Sequence, residues 1–221
     1  AGDIQPNLPW ANDHFEERVS RVPSNPGEEY KNWPWWHGQD EDAMEGRIFS
    51  HTYQERFWPK AYNGLPWQPW MDDPENQRMG IRYAYGDLDD VVSLLLREPL
   101  GRQATFPIFF PEDTGVVHQG RVPCTLHYHF LVTPNNRLDM WYPIRSCDYV
   151  RHFRDDLYMA ARLQLGVLEA LRTPSRFGRE GDPDFSWATV TPGDLHFTAY
   201  SLHVHKGDWH HFMKEVHNDR S

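Results

Sequence analysis

The stretch from residue 122 to residue 172 constrains the fold more than any other part of the chain. Apolar residues alternate with polar ones over residues 124–132, and a second apolar segment covers 137–144 after a Pro-Asn-Asn turn, which predicts a β-hairpin. Residues 149–172 then have apolar side chains near the 3.6-residue spacing of an amphipathic helix. We expect this helix to be the central buried element. Its predicted apolar face consists of Val150, Phe153, Leu157, Ala161, Leu165 and Leu168.

The flanking segments predict further strands and helices around this unit. Asp87 can cap a helix over residues 87–98 that Pro99 ends, and residues 105–110 form a short apolar strand. Strands are predicted over 187–190 and 195–205, with a turn at 191–194 between them. Shorter or weaker helical patterns cover residues 13–22, 43–58 and 210–221. Strands, one long helix and more strands predict a mixed α/β (α+β) sheet protein.

The chain divides by composition into two parts. Residues 1–42 are rich in Pro and Trp, and we expect them to wrap the domain as ordered coil because their tryptophans need a surface to pack on. Residues 43–221 then form one compact domain, the default for a chain of 221 residues.

Charge and cysteine content exclude several classes of protein. The net charge is −10 and the Lys and Arg residues are dispersed, which argues against nucleic-acid binding, although a few arginines can still bind one phosphate. Two cysteines do not make a disulfide framework, so we expect a reducing, cytoplasmic location. We find no signal-peptide pattern and no apolar run near the ~20 residues of a membrane helix, so we expect no membrane partner.

Cys124 is the candidate nucleophile. A lone cysteine in a strand is usually a small buried hydrophobic residue. Pro123, however, places Cys124 at a strand start, and Arg145 ends the paired strand, where a guanidinium would favour the thiolate. Cys147, between Ser146 and Asp148, is interpreted as structural.

Two His-x-His pairs, His127/His129 and His203/His205, suggest a metal site, because residues i and i+2 share one face of a strand. The alternative is that they are polar residues on a half-solvated or ligand-facing sheet surface. No Asp or Glu stands at a suitable spacing beside either pair, so we favour the second reading. Asp155 and Asp156, judged by periodicity alone, are interpreted as surface residues.

Taken together, these motifs resemble the thymidylate synthase superfamily over roughly residues 45–205. The resemblance depends on motifs that occur in the family's order: Trp67-Gln-Pro-Trp70, Gly80-Ile-Arg-Tyr-Ala-Tyr-Gly86, Pro123-Cys124, Arg145-Ser-Cys-Asp148, Pro192-Gly-Asp-Leu195 and His203. It implies a thymidylate synthase-like catalytic domain over residues 43–221, with a mixed β-sheet packed by the long helix.

The resemblance implies catalytic and cofactor roles for particular residues. Cys124 matches the nucleophile that attacks C6 of the pyrimidine. Glu45, 22 residues before Trp67, falls where the family has its general acid/base glutamate. Trp67 and Trp70 match the segment beside the folate, which implies 5,10-methylenetetrahydrofolate as cofactor.

The resemblance also implies a set of substrate-binding residues. Arg145, Ser146 and Arg21 match residues that bind the nucleotide phosphate, and Asp148 matches an aspartate near the base. Arg102 matches an arginine lent to the partner's phosphate site, which implies a homodimer. His203 matches a histidine that contacts the sugar hydroxyl, and His205 replaces the usual tyrosine there.

Two departures from the synthase pattern bear on the substrate. Asp156, eight residues after Asp148, stands where the synthases have an asparagine that reads uracil. A protonated carboxyl group can donate to N3 of cytosine and accept from its 4-amino group. Thr125 replaces the histidine that follows the synthase nucleophile. The pattern is closest to the (deoxy)cytidylate 5-hydroxymethylase branch, where Asp occupies this position.

The expected function is therefore a folate-dependent C5 hydroxymethylase that acts on a cytidine monophosphate, dCMP or CMP, without a metal. The alternatives are a C5 methylase or uridylate-specific member of the superfamily, a His-rich metal-dependent β-sheet enzyme, and a catalytically inactive nucleotide-binding protein.

Overall fold

A computed structural model describes residues 5–22, 24, 27, 34, 44–45, 48–49, 51–62, 86–114 and 122–218 of the chain. The helices described are α1 (Trp10–Val19), α2 (Tyr53–Phe57), α3 (Leu88–Arg97), α4 (Phe153–Arg172) and α5 (Trp209–Asn218). The strands described are β1 (Met44–Glu45), β2 (Ile48–Phe49), β3 (Thr105–Pro107), β4 (His127–Val132), β5 (Arg137–Ile144), β6 (Cys147–Asp148), β7 (Thr191–Ala199) and β8 (Leu202–His203). This mixed α/β architecture confirms the predicted class.

The main sheet has the strand order β3-β4-β5-β7. Strands β3, β4 and β5 pair antiparallel, whereas β7 returns parallel to β5. The predicted hairpin is confirmed, and so is the alternation along β4: Tyr128, Phe130 and Val132 are buried, while His127 and His129 lie on the opposite, partly exposed face. A second, two-stranded pairing joins β6 to β8 in parallel, directly after β5 and β7.

Helix α4 packs on β5, β7 and α3, and so it is the central helix that the sequence predicts. It begins at Phe153, four residues later than expected. The predicted apolar face is confirmed only in part: Val150 and Leu168 are buried, but Leu165 is 51% exposed. Met159, Leu163 and Val167, which the prediction left out, are buried. Two polar residues of this helix are also buried: Asp155 accepts hydrogen bonds from Asn7, and Gln164 donates to the Leu138 carbonyl.

The predictions around β7 are also wrong in detail. Residues 187–190, expected to be a strand, contain a 3₁₀ turn at Trp187–Thr189, and the expected turn at 191–194 is the first part of β7. The pairing of β7 with β5 shifts register between Leu138 and Met140. At this irregularity Gly193 lies so close to Asp139 that an added Cβ would be 2.0 Å from its carboxylate oxygen. Asp139 also accepts a hydrogen bond from the Asp194 amide, which explains why the Pro-Gly-Asp sequence continues a strand here.

Helix α1 packs against both α2 and α4. Helix α1 begins three residues earlier than predicted, at Trp10. The helical pattern over 43–58 forms a helix only at Tyr53–Phe57, preceded by the short β1/β2 pair. Helix α3 is confirmed, with a capping box between Asp87 and Asp90, and α5 confirms the helix predicted near the C-terminal end.

A buried ion pair joins α2 to the segment after β3. The Arg56 guanidinium donates to both carboxylate oxygens of Asp113, at 2.7 and 2.8 Å, and both side chains are fully buried. The Phe110 amide donates to the same carboxylate. The two charges are therefore paired and hydrogen-bonded, which such burial requires.

In the part of the chain that the structure describes, no helix combines the length and apolarity needed to cross a bilayer.

Candidate functional site

A cavity of about 130 Å³ lies between α1, the start of α4 and the end of the β4–β5 hairpin. It is lined by residues from distant parts of the chain: Trp10, His14, Arg18, His51, Tyr53, Val122, Cys124, Ile144, Ser146, His152, Asp156 and Met159. Three residues that the sequence predicted as site residues, Cys124, Ser146 and Asp156, are therefore brought to one cavity.

Strand pairing sets the position of Cys124. Cys124 lies just outside β4, three residues before the strand begins, and its carbonyl accepts a hydrogen bond of 2.9 Å from the amide of Arg145, which follows β5. The Arg145 guanidinium donates to the carbonyls of Pro123 (3.0 Å) and Val122 (2.9 Å). Arg145 is thus paired with Cys124 through the backbone, and its guanidinium holds the two residues before Cys124 in place.

Thr125 connects the cavity wall to the sheet. Its hydroxyl lies 3.2 Å from the Tyr53 hydroxyl and 3.2 Å from that of Tyr142, and either atom of each pair can be the donor. Burial raises the pKa of both phenols, so they remain protonated hydrogen-bond donors at neutral pH. The residue that follows Cys124 therefore has a structural partner on each side.

Asp156 lies in the first turn of α4 and faces the cavity, which contradicts its interpretation as a surface residue. Burial raises the pKa of its carboxyl from the ordinary 3.8 to about 7, against the opposing charge of Arg18 and with a further contribution from Asp155. The Cys147 thiol lies 3.9 Å from Asp156 Oδ2. Burial raises the pKa of this thiol, so Cys147 stays protonated, in agreement with its predicted structural role.

Sequence reasoning missed Trp10, His14 and Arg18, which α1 presents to the cavity. The Arg18 Nε donates to His14 Nε2 at 3.1 Å, and its guanidinium carbon lies 3.7 Å from the centre of the Tyr53 ring. Burial lowers the pKa of His14 well below its ordinary value, so this histidine is neutral and can accept from Arg18. A signal was present in the sequence: Trp10, His14 and Arg18 are spaced by four residues and so share one helix face.

A second cluster contains Asp148, His203 and His205. The parallel pairing of β6 with β8 places Asp148 opposite His203, and His205 Nε2 lies 3.4 Å from Asp148 Oδ2. One ligand atom from each of the three residues lies within 4.8 Å of the others. The expectation that no acidic residue accompanies either histidine pair is therefore wrong for this pair, because the carboxylate comes from a strand 55 residues earlier.

The Asp148 side chain has two different environments. Its Oδ1 accepts the amides of Val150 (2.9 Å) and Arg151 (3.1 Å), which fixes the turn into α4. Its Oδ2 is buried and has no hydrogen bond within the described residues, although Arg151 Nε lies 3.8 Å away. This oxygen is therefore the one that a ligand could use.

The other histidine pair lies on the outer face of the main sheet. His127 and His129 share that face with Trp141 and His196, whose rings stack with centroids 4.4 Å apart. Burial lowers the pKa of both His127 and His129. Among the described residues, no group of three metal-ligating side chains includes either of them. This pair fits the reading of polar residues on a partly exposed sheet surface.

Arg102 and Arg21, which the sequence also predicted as site residues, do not line the cavity. Arg102 is exposed on the segment leading into β3, the edge strand of the main sheet. Arg21 is 58% exposed, forms an ion pair with Asp89 and stacks over Trp58, and it is not among the residues lining the cavity. Glu45 is in β1, but its side chain lies outside the described structure, as do Trp67 and Trp70.

No protein-family model matches the chain, and no curated protein sequence matches it.

Proposed function

We propose that this chain is a thymidylate synthase-like enzyme that hydroxymethylates C5 of a cytidine monophosphate, CMP or dCMP, through a covalent bond between Cys124 and C6. The observation that carries the proposal is the convergence of Cys124, Ser146 and Asp156 on one cavity. Their roles were inferred from motif order alone, and Asp156 lies 32 positions after Cys124 in the chain.

Cys124 would supply the nucleophile. Addition of its thiolate to C6 breaks the C5–C6 double bond and makes C5 nucleophilic, and elimination of the thiolate at the end restores the double bond. Bound methylenetetrahydrofolate would supply the one-carbon unit, C5 would lose its proton, and water would supply the hydroxyl oxygen of the product. The resemblance assigns Trp67 and Trp70 to the folate and Glu45 to proton transfer. The side chains of all three lie outside the part of the chain that the structure describes.

Asp156 would select the base. With a pKa of about 7, its carboxyl group keeps a proton over much of the neutral range. The protonated group donates to N3 of cytosine and accepts from the 4-amino group. Uracil would place its own N3–H donor against the donor of Asp156. Each buried group left unpaired in this way costs about 1–3 kcal/mol, or roughly ten- to a hundredfold in selectivity.

Ser146 and Arg145 would lie on the phosphate side of the nucleotide. Arg145 already donates to two backbone carbonyls, which leaves Nη1 as its free donor group among the described contacts. Arg102, exposed at the sheet edge, is suited to reach a second subunit, and a twofold dimer would then share its two phosphate sites. The partners are thus a pyrimidine nucleotide and a second copy of the chain, in a cytoplasmic enzyme.

The experiment is a product assay with methylenetetrahydrofolate and each of CMP, dCMP, UMP and dUMP. Mass spectrometry of the nucleotide distinguishes a hydroxymethyl from a methyl product. We expect the wild-type enzyme to hydroxymethylate one of the cytidylates. Cys124→Ala should abolish turnover while nucleotide binding survives, and Asp156→Asn should lose cytidylate activity and gain uridylate activity.

Cys147→Ala is the matched control, because this second thiol is buried and protonated beside the same cavity. It should retain turnover. Turnover that persists in Cys124→Ala would refute covalent catalysis at this residue. A wild type that prefers uridylate would instead support the uridylate-specific alternative.

A second candidate, a metal-dependent enzyme, is favoured by the cluster of Asp148, His203 and His205. Two histidines and one carboxylate form the ligand set of mononuclear iron sites. In the preferred proposal the two histidines would bind the sugar, and Asp148 would lie near the base. Metal analysis of the purified protein decides between the two: one bound metal per chain that is lost in His203→Ala would favour the metal enzyme.

A further inference from the structure

Among the described residues, no carboxylate lies within ion-pair distance of Arg18 in the cavity wall. Arg18 is 3% exposed, and its described contacts are the hydrogen bond from Nε to His14 and the stacking on Tyr53. Within the described residues, its two Nη groups donate to no acceptor and form no ion pair. Most buried charges are paired or hydrogen-bonded, so this guanidinium is suited to a ligand that brings its own acceptor.

Two neighbours of Arg18 hold it in place without neutralising it. His14 is neutral, and Tyr53 keeps its proton, so neither carries a negative charge. The nearby carboxyl, Asp156, is half-buried and faces the same cavity. Arg18 and Asp156 therefore present two different polar groups to whatever occupies the cavity.

The size of the cavity limits its occupant. Its volume is about 130 Å³, close to the roughly 150 Å³ of a protein cavity that holds one benzene ring. Apolar side chains, among them Ile144 and Met159, form part of its lining. The cavity thus suits one planar ring with polar atoms along an edge, and the phosphate of a nucleotide would lie outside it.

We propose that Arg18 donates to the O2 carbonyl of the pyrimidine ring, so that Arg18 and Asp156 together read the whole pairing edge of cytosine. This inference rests on the proposed function. Cytosine presents two acceptors, O2 and N3, followed by the donor of its 4-amino group, and O2 is its only carbonyl. The Arg18 guanidinium and the protonated Asp156 offer two donors followed by an acceptor. Guanine presents the same order to cytosine in a base pair.

The two residues then have separable effects. Uracil also carries O2, so Arg18 contributes affinity for both bases, whereas Asp156 determines the preference between them. The test is calorimetric binding of CMP and dCMP and of their 2-thio analogues, in which a weakly accepting sulfur replaces O2. We expect the wild type to bind the better oxygen nucleotide about tenfold more tightly than its 2-thio analogue.

Arg18→Met should weaken binding of the oxygen nucleotide by about ten- to a hundredfold and should no longer distinguish oxygen from sulfur. Arg18→Lys retains the charge without the planar fork. It should bind the oxygen nucleotide more weakly than the wild type and more tightly than Arg18→Met. Arg162→Met is the matched control: Arg162 stacks on Phe15 and pairs with Glu16 of α1 but does not line the cavity. It should bind both nucleotides as the wild type does.

The outcomes separate the two proposals. If the wild type binds and converts the nucleotide, but Arg18→Met keeps the wild-type preference for oxygen over sulfur, the role of Arg18 is wrong and the proposed function stands. If the wild type binds neither CMP nor dCMP, both proposals fail. Thermal melts of all variants identify an unfolded Arg18→Met, in which case the wild type decides: equal binding of the oxygen and 2-thio nucleotides would overturn the assignment.

Discussion

Replacing Asp156 with asparagine should stabilise the protein in a pH-dependent manner. Burial raises the pKa of this carboxyl from 3.8 to about 7. The folded state therefore binds the proton more tightly than the unfolded state, and stability is lost as pH rises between these two values. Asparagine does not titrate, so it avoids this loss. The free energy of unfolding of the variant should rise relative to that of the wild type from low to neutral pH, and this difference should level off above about pH 8.

The size of the effect follows from the shift. Each tenfold change in the acid dissociation constant corresponds to about 1.4 kcal/mol, so the full shift sets an upper bound of about 4 kcal/mol. Roughly two-thirds of it develops above pH 5. Because the side chain is only half-buried, we expect the difference in unfolding free energy between Asp156→Asn and wild type to grow by about 1–2 kcal/mol from pH 5 to pH 8.5.

Urea unfolding followed by tryptophan fluorescence measures this difference, since the chain contains ten Trp. Contributions from other carboxyl groups cancel in the comparison. Asp184→Asn, at an exposed position, is the control and should stay within about 0.5 kcal/mol of wild type at every pH. If the difference for Asp156→Asn is the same at pH 5 and pH 8.5, the buried environment assigned to this carboxyl is wrong.

Two further predictions concern the fold and the assembly. Asp113→Ala should cost about 3–5 kcal/mol of unfolding free energy because it leaves Arg56 charged and buried. Asp194→Ala, which removes an exposed partner of Arg137, should cost less than about 1 kcal/mol. Equal costs in urea titrations would contradict the role of burial. Mixing Cys124→Ala with Arg102→Ala subunits should restore activity in heterodimers, since one site of each would combine Cys124 from one chain with Arg102 from the other, and a monomer in sedimentation or a lack of rescue would count against a shared site.

Local patterns were enough to predict the elements whose partners are close in sequence. The β4–β5 hairpin follows from alternation and a short turn, and α3 follows from its Asp87 cap. Strand β7 was misplaced because its geometry depends on Asp139, a residue of another strand, which fixes the bulge at Gly193. Periodicity within one segment contains no information about such a contact.

The candidate site divides in the same way. Cys124 and Arg145 were predicted to be neighbours because they lie on one hairpin. Periodicity alone predicts Asp156 at the surface, because the residues that cover the first turn of α4 are distant in the chain. Asn7, which binds the adjacent Asp155, is 148 residues away. Arg18 was missed although its spacing from His14 was visible, because nothing in α1 itself indicates which element covers that face.

The contact between Asn7 and Asp155 has a consequence for the order of folding. Loop closure becomes more costly with the number of residues enclosed, and contacts of high sequence separation slow folding. The hairpin and α3 can form from local interactions, but the cavity wall is complete only when α1 docks on α4. We therefore expect the α1 amides to become protected from hydrogen exchange later during refolding than the amides of β4 and β5. On a ribosome, the cavity cannot close until α4 has been synthesised, long after α1 has emerged.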